Sequence, residues 1–170
     1  MSRSAAPPIA YLMLRMLIVV NWLGGAAILA LLVVIQNEQW IMTSFKLSPS
    51  SEADGLVMGL RAIALLGFAM IPLNDAVLKR LLAMIETLRA GDPFVAANAS
   101  RLPAIAWMLL ALNLLAIVIG AIAKTVSTPA HTASYRRRLY NGWLAVLLTF
   151  LLARVFAEGA LMREDLEGTV

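Results

Sequence analysis

Apolar positions run without a charged side chain from Met16 to Asn37 and again from Leu102 to Ala123, 22 residues each. At about 1.5 Å per residue, a helix of that length spans roughly 33 Å, enough to cross the hydrocarbon of a bilayer. Extended to their polar boundaries, and joined by two shorter or interrupted apolar segments, these runs predict four crossings. They are Tyr11–Ile35, Gly55–Leu73, Pro103–Ala123 and Leu139–Leu161. The first run far exceeds the ~7–15 apolar residues of a signal-peptide core and reaches Gln36 without a convincing cleavage site, so it reads as an anchored helix.

Between the second and third crossings the periodicity changes. Pro72 is expected to kink the end of the second span, where Asn74 and Asp75 mark an interface. Beyond it Val77, Leu78, Leu81, Leu82, Met84, Ile85 and Leu88 recur at helical spacing, with Asp75, Lys79, Arg80, Glu86 and Arg89 on the other faces. This predicts an amphipathic interfacial helix, not a fifth span. Gly91, Asp92 and Pro93 are expected to stop it, the glycine as a left-handed cap and the aspartate as cap of the next helix. Gln36–Asp54 and Lys124–Arg138 read as connections, and Arg163–Val170 as an acidic tail. The predicted fold is all-α: a single domain over 1–170, an integral membrane four-helix bundle with one interfacial helix between spans two and three.

Composition sharpens this picture by exclusion. Of the 170 residues 61% are apolar and 14% charged, against about 25% charged in ordinary soluble domains. With no cysteine and only His131, disulfides, thiolate chemistry and zinc or bis-histidine haem sites are not expected. No phosphate-binding glycine loop, zinc-protease motif or serine beside a base appears, so neither a cofactor nor an enzyme activity is expected. The net charge of +4 suits membrane-flanking segments, and no direct contact with nucleic acid is expected. Four crossings put both termini on one side with the central connection. That side carries Arg3, Arg15, Lys79, Arg80, Arg89, Arg101 and Arg163, against Lys46, Lys124 and Arg136, Arg137 and Arg138 opposite. Seven against five favours cytoplasmic termini, although the arginine triplet pulls the other way.

Polar residues inside spans need partners, because an ionised group at mid-bilayer costs about 2.5–3.5 kcal/mol on insertion scales. Arg61 is expected to snorkel toward Glu52 or Asp54. Arg15, Asp75, Arg154 and Glu158 fall toward one end of the bundle and form a candidate intramembrane network with Asn21 and Asn113. Arg154 has two candidate partners, Glu158 one turn away and Asp75 across helices. Gly55 with Gly59, and Gly24-Gly25 with Ala26, Ala27 and Ala30, make thin surfaces for close packing within the chain, and secondarily for a homodimer.

Two stretches carry a family resemblance. Gly91-Asp92-Pro93-Phe94 with Asn98, Arg101, Leu102, Ile105 and Trp107 is the first; Val155-Phe156-Ala157-Glu158-Gly159 with Leu161, Glu164, Asp165, Leu166, Glu167, Thr169 and Val170 is the second. Together they resemble a YoaS-like bacterial family of four-helix membrane proteins, a domain of unknown function. The resemblance implies the bacterial inner membrane, cytoplasmic termini and a partnership with a small helix-turn-helix regulator. The expected partner surface is then Lys79, Arg80, Arg89, Asp92, Phe94, Asn98, Arg101, Glu164, Asp165 and Glu167. The alternative is a binder or transporter of a small lipophilic or cationic molecule, with a cavity near Asn21, Asn113 and Arg154.

Overall fold

Why four apolar runs become four helices is a matter of their solvent: with no water to satisfy the backbone, each segment must close its own hydrogen bonds. The computed structural model describes residues 6–36, 51–91, 94–126 and 132–167, with side chains at 9–36, 54–91, 94–124, 142–163 and 165. Among the described residues there are four α-helices and no strand: α1 Ala6–Ile35, α2 Ser51–Arg89, α3 Ala96–Val126 and α4 Thr132–Glu167. Each contains a stretch long and apolar enough to cross a membrane.

The helices outrun the apolar segments that announce them. α2 continues through Pro72 for 39 residues in all, so the amphipathic stretch is no separate interfacial helix but the second half of the second helix. A proline removes one hydrogen bond and bends a helix without ending it where neighbouring helices support both halves. Here they do: Val77 buries against Ile105 and Leu112 of α3, with Leu81 and Met84 packed alongside. Asp75 accordingly lies well inside α2 and not at an edge. α3 likewise begins at Ala96, upstream of Pro103, and α4 begins at Thr132, so the expected connection ahead of the fourth span is partly helical. The expected acidic tail is helical as far as Glu167.

Gly91 does stop α2. It adopts a left-handed conformation (φ 87°), and its N–H donates to the Leu88 carbonyl at 3.1 Å. α3 then opens with the Val95 carbonyl accepting from the N–H of Asn98 at 2.9 Å. Asp92, expected as the cap, lies outside the described residues, four positions ahead of the first turn.

Consecutive helices run antiparallel, and extensive packing is confined to α1 on α2, α2 on α3, and α3 on α4. Gly25 lets α1 meet Ile71 of α2, where a Cβ would lie 3.1 Å from the isoleucine Cγ2. Gly24 and Gly55 face open space. Between α3 and α4, Trp107 meets Phe150 edge to face at 5.6 Å. We call the end holding the Gly91 turn the elbow end; α1 begins there and α4 finishes there. At the opposite end Ile35 and Val57 bury together against Leu60.

Little else is enclosed. Leu12, Met16, Trp22 and Leu23 on α1 and Leu144, Leu147 and Leu151 on α4 all point outward. In water such a surface would drive aggregation, whereas in lipid it matches its solvent and leaves only van der Waals packing and polar contacts to hold the helices together.

Candidate functional site

Polar side chains on these helices separate into local clusters, and each is best understood from the backbone it serves. At the end opposite the elbow, Arg61 reaches across from α2 and donates from Nη2 to the Ile35 carbonyl at 3.2 Å. A helix leaves its last carbonyls without intrahelical donors and carries partial negative charge there, so a guanidinium satisfies both. Arg61 thus caps the neighbouring helix; of the partners expected for it, the Glu52 side chain lies outside the described residues. Sequence reading missed this because it requires knowing that Arg61 lies level with the last turn of α1.

Midway along the α1–α2 seam, Asp75 is 7% exposed and uses both carboxylate oxygens. Oδ1 accepts from the Trp22 indole Nε1 at 3.0 Å, and Oδ2 pairs with Lys79 Nζ at 2.6 Å. The lysine stem then leads outward, its side chain 62% exposed. Close by, Asn21 donates from Nδ2 to the Ile71 carbonyl at 3.1 Å, beside the proline that interrupts the ladder. Arg80 donates to the Ala76 carbonyl at 3.2 Å and contacts Met108 Sδ at 3.5 Å.

The six residues expected to form one intramembrane network do not converge. Arg154 pairs with Glu158 on its own helix at 3.1 Å, on an exposed face, and not with Asp75. Asn113 is buried on α3 against Gly142 of α4, where a Cβ would overlap its amide oxygen, and its Nδ2 has no hydrogen-bond partner. Arg15 sits at the elbow end, 4.9 Å above the Tyr11 ring.

The elbow itself is clamped by side chains. Arg101 Nη1 donates to Asn98 Oδ1 at 2.9 Å, Asn98 Nδ2 donates to Thr87 Oγ1 at 2.6 Å, and Thr87 Oγ1 donates to the Met84 carbonyl at 2.8 Å. Asn98 is 1% exposed, so it joins α2 to α3 and is not part of an outer partner surface as expected. Its neighbour Phe94 stacks, tilted, on Phe156 with centroids 5.2 Å apart, and fills the space left by Gly159. The two stretches that carry the family resemblance thus touch. Lys79 and Arg80 lie farther along α2, and Asp165 faces outward. Asp92 and the side chains of Glu164 and Glu167 lie outside the described residues.

A cleft among the described residues lies at the elbow end, away from Asn21, Asn113 and Arg154. It is an open cleft of about 470 Å³ between α1 and α4, floored by α2. That volume lies within the roughly 300–1,000 Å³ of small-molecule sites. α1 contributes Ala10, Met13 and Leu14; α2 contributes Leu81, Met84, Ile85 and Leu88; α4 contributes Phe156. Asn98 is the only polar lining residue, and its amide is already engaged in the clamp. Leu81 and Leu88 are two helical turns apart, which makes the cleft about 10 Å long.

At the edge of this cleft Arg89, in the last turn of α2, places its guanidinium 5.2 Å from the same Tyr11 ring that Arg15 covers. Neither arginine is paired with a described carboxylate. The ring attracts each cation through its π face, and the helix C-terminus favours Arg89. Neither effect removes the repulsion between two like charges held within about 10 Å. No cluster of metal-binding side chains occurs among the described residues.

Comparison with known protein families, with curated proteins and with solved structures finds no match to this chain.

Removing the buried amide of the elbow clamp leaves Thr87 and Arg101 without their partner. Asn98→Ala is expected to destabilise the protein by about 1–3 kcal/mol, measured as reduced resistance to thermal unfolding in detergent, whereas Ser100→Ala, on the exposed face one residue beyond Ala99, is expected to leave it unchanged.

Proposed function

We propose that this chain is a multi-pass protein of a bacterial cytoplasmic membrane that holds a small lipophilic molecule in the cleft at its elbow end. The observation that carries this reading is the cleft's chemistry: side chains from all four helices enclose about 470 Å³ with almost purely hydrocarbon walls. Such walls recognise an aliphatic chain by excluding water and filling space, and they present no free acid, base or nucleophile. The role is therefore binding and not catalysis. In this reading the termini and the elbow lie on the cytoplasmic side, as the sequence count of seven basic residues against five favours, although Lys79 and Arg80 of those seven lie inside α2.

A second reading makes the elbow end a docking surface for a small helix-turn-helix regulator, as the YoaS-like resemblance implies. What favours it is the contact of Phe94 with Phe156 and Gly159, which gathers the linker and the end of α4 into one surface.

Three outcomes check these readings. Met84→Trp fills the cleft and is expected to abolish retention of a fluorescent fatty acid by the purified protein; unaltered retention would remove the first reading. Because the chain has no native cysteine, Gln36→Cys is expected to react with an impermeant maleimide in intact cells and Ala90→Cys only after permeabilisation; the reverse pattern would invert the orientation. Truncation after Met162 is expected to abolish co-purification with a small helix-turn-helix regulator that the full chain binds when the two are co-expressed, and unchanged co-purification would count against the second reading.

A further inference from the structure

The arginines beside the cleft are hard to explain as packing. Arg15 comes from α1 and Arg89 from α2, yet both guanidiniums converge on the Tyr11 ring at 4.9 and 5.2 Å. Each stands next in sequence to a cleft residue, Leu14 in one case and Leu88 in the other. Glu86, three residues before Arg89, is exposed and pairs with neither arginine, and Asp92, three residues after it, lies outside the described residues. Two cations brought together with no counter-charge among the described residues repel one another, and an anion placed against both turns that repulsion into attraction. A phosphate matches a guanidinium especially well, because its oxygens accept paired N–H donors.

We infer that Arg15 and Arg89 bind the phosphate of an anionic phospholipid while one of its acyl chains occupies the cleft between α1 and α4. This rests on the reading of the cleft as a lipophilic site and adds the class of ligand it takes. The two halves of the site match the two halves of such a lipid: hydrocarbon walls over about 10 Å of helix, then a pair of cations at the open edge. A soluble phosphate compound would have no use for the apolar floor, and a neutral lipophile would have none for the arginines. Basic pockets between membrane helices on the cytoplasmic side are known to hold anionic headgroups, and the proposed orientation puts the elbow end on that side.

The test uses the whole protein, purified in mild detergent and offered mixed micelles of phosphatidylglycerol and phosphatidylcholine with identical chains. Lipids carried through re-purification are counted by native mass spectrometry. The unaltered protein is expected to enrich phosphatidylglycerol. Enrichment is expected to fall about fivefold for each arginine replaced in Arg15→Gln and Arg89→Gln, the factor that about 1 kcal/mol per basic residue converts to. Arg15→Lys with Arg89→Lys is expected to retain most of it, since the charge is kept. If the glutamine variants do not fold, Tyr11→Leu removes the ring that gathers the two cations and is expected to lower enrichment in their place. Met84→Trp is expected to lose both lipids alike. Undiminished enrichment in the glutamine variants, with lipid still lost from Met84→Trp, overturns the headgroup site alone. Lipid retained by Met84→Trp overturns the cleft reading beneath it. Displacement of phosphatidylglycerol by millimolar inorganic phosphate would assign the arginines to free phosphate and overturn the lipid assignment.

Discussion

Polar groups surrounded by hydrocarbon have no water to fall back on, and among the described residues most polar clusters are arranged around that constraint, Asn113 Nδ2 being the exception on α3. The last carbonyls of α1 receive Arg61 from α2. The carbonyl beside Pro72 receives Asn21 from α1. Asp75 is surrounded on both oxygens by Trp22 and Lys79. In each case the donor comes from one helix and the acceptor from its neighbour or from the next turn, so satisfying a polar group and aligning two helices are the same event. Bonds of this kind average only about 0.6 kcal/mol in one well-studied membrane protein. Their value here is directional: apolar surfaces slide freely against lipid-like neighbours, and the polar contacts fix their register.

The four crossings were legible in the sequence because apolar length is a one-dimensional property, and all four segments lie inside observed helices. Helix ends were not. Apolar periodicity reports which face is buried, while a helix continues as long as its backbone bonds are made. α2 therefore ran on past Leu73, and α4 began before Leu139. Gly91 was readable as a stop because only one residue type adopts its conformation without strain. Partnerships across helices were the least legible. Asp75 and Arg154 look alike to a spacing rule, yet one meets Trp22 and Lys79 and the other meets Glu158 one turn away. Nothing in a single chain states how far one helix is shifted along the next.

The same limit hid the cleft. Its walls are ordinary apolar residues whose sequence pattern is that of any membrane helix, and only the incomplete closure between α1 and α4 sets them apart. Tyr11 was equally inconspicuous as the first residue of the first span. Thr87 and Asn98 left a faint signal in hindsight: two small polar residues on apolar faces, flanking a glycine turn at distances that bring them level in an antiparallel pair.

Serial pairing of the helices has a consequence for biogenesis. Each helix finds its main partner in the one that emerged from the ribosome just before it, so the chain can assemble in the order of its synthesis, with few long-range contacts left to search for. The groove is the exception, since it needs residues from both α1 and α4. A nascent chain lacking α4 would already be threaded and paired, yet it would have no finished pocket to fill until that helix has been made.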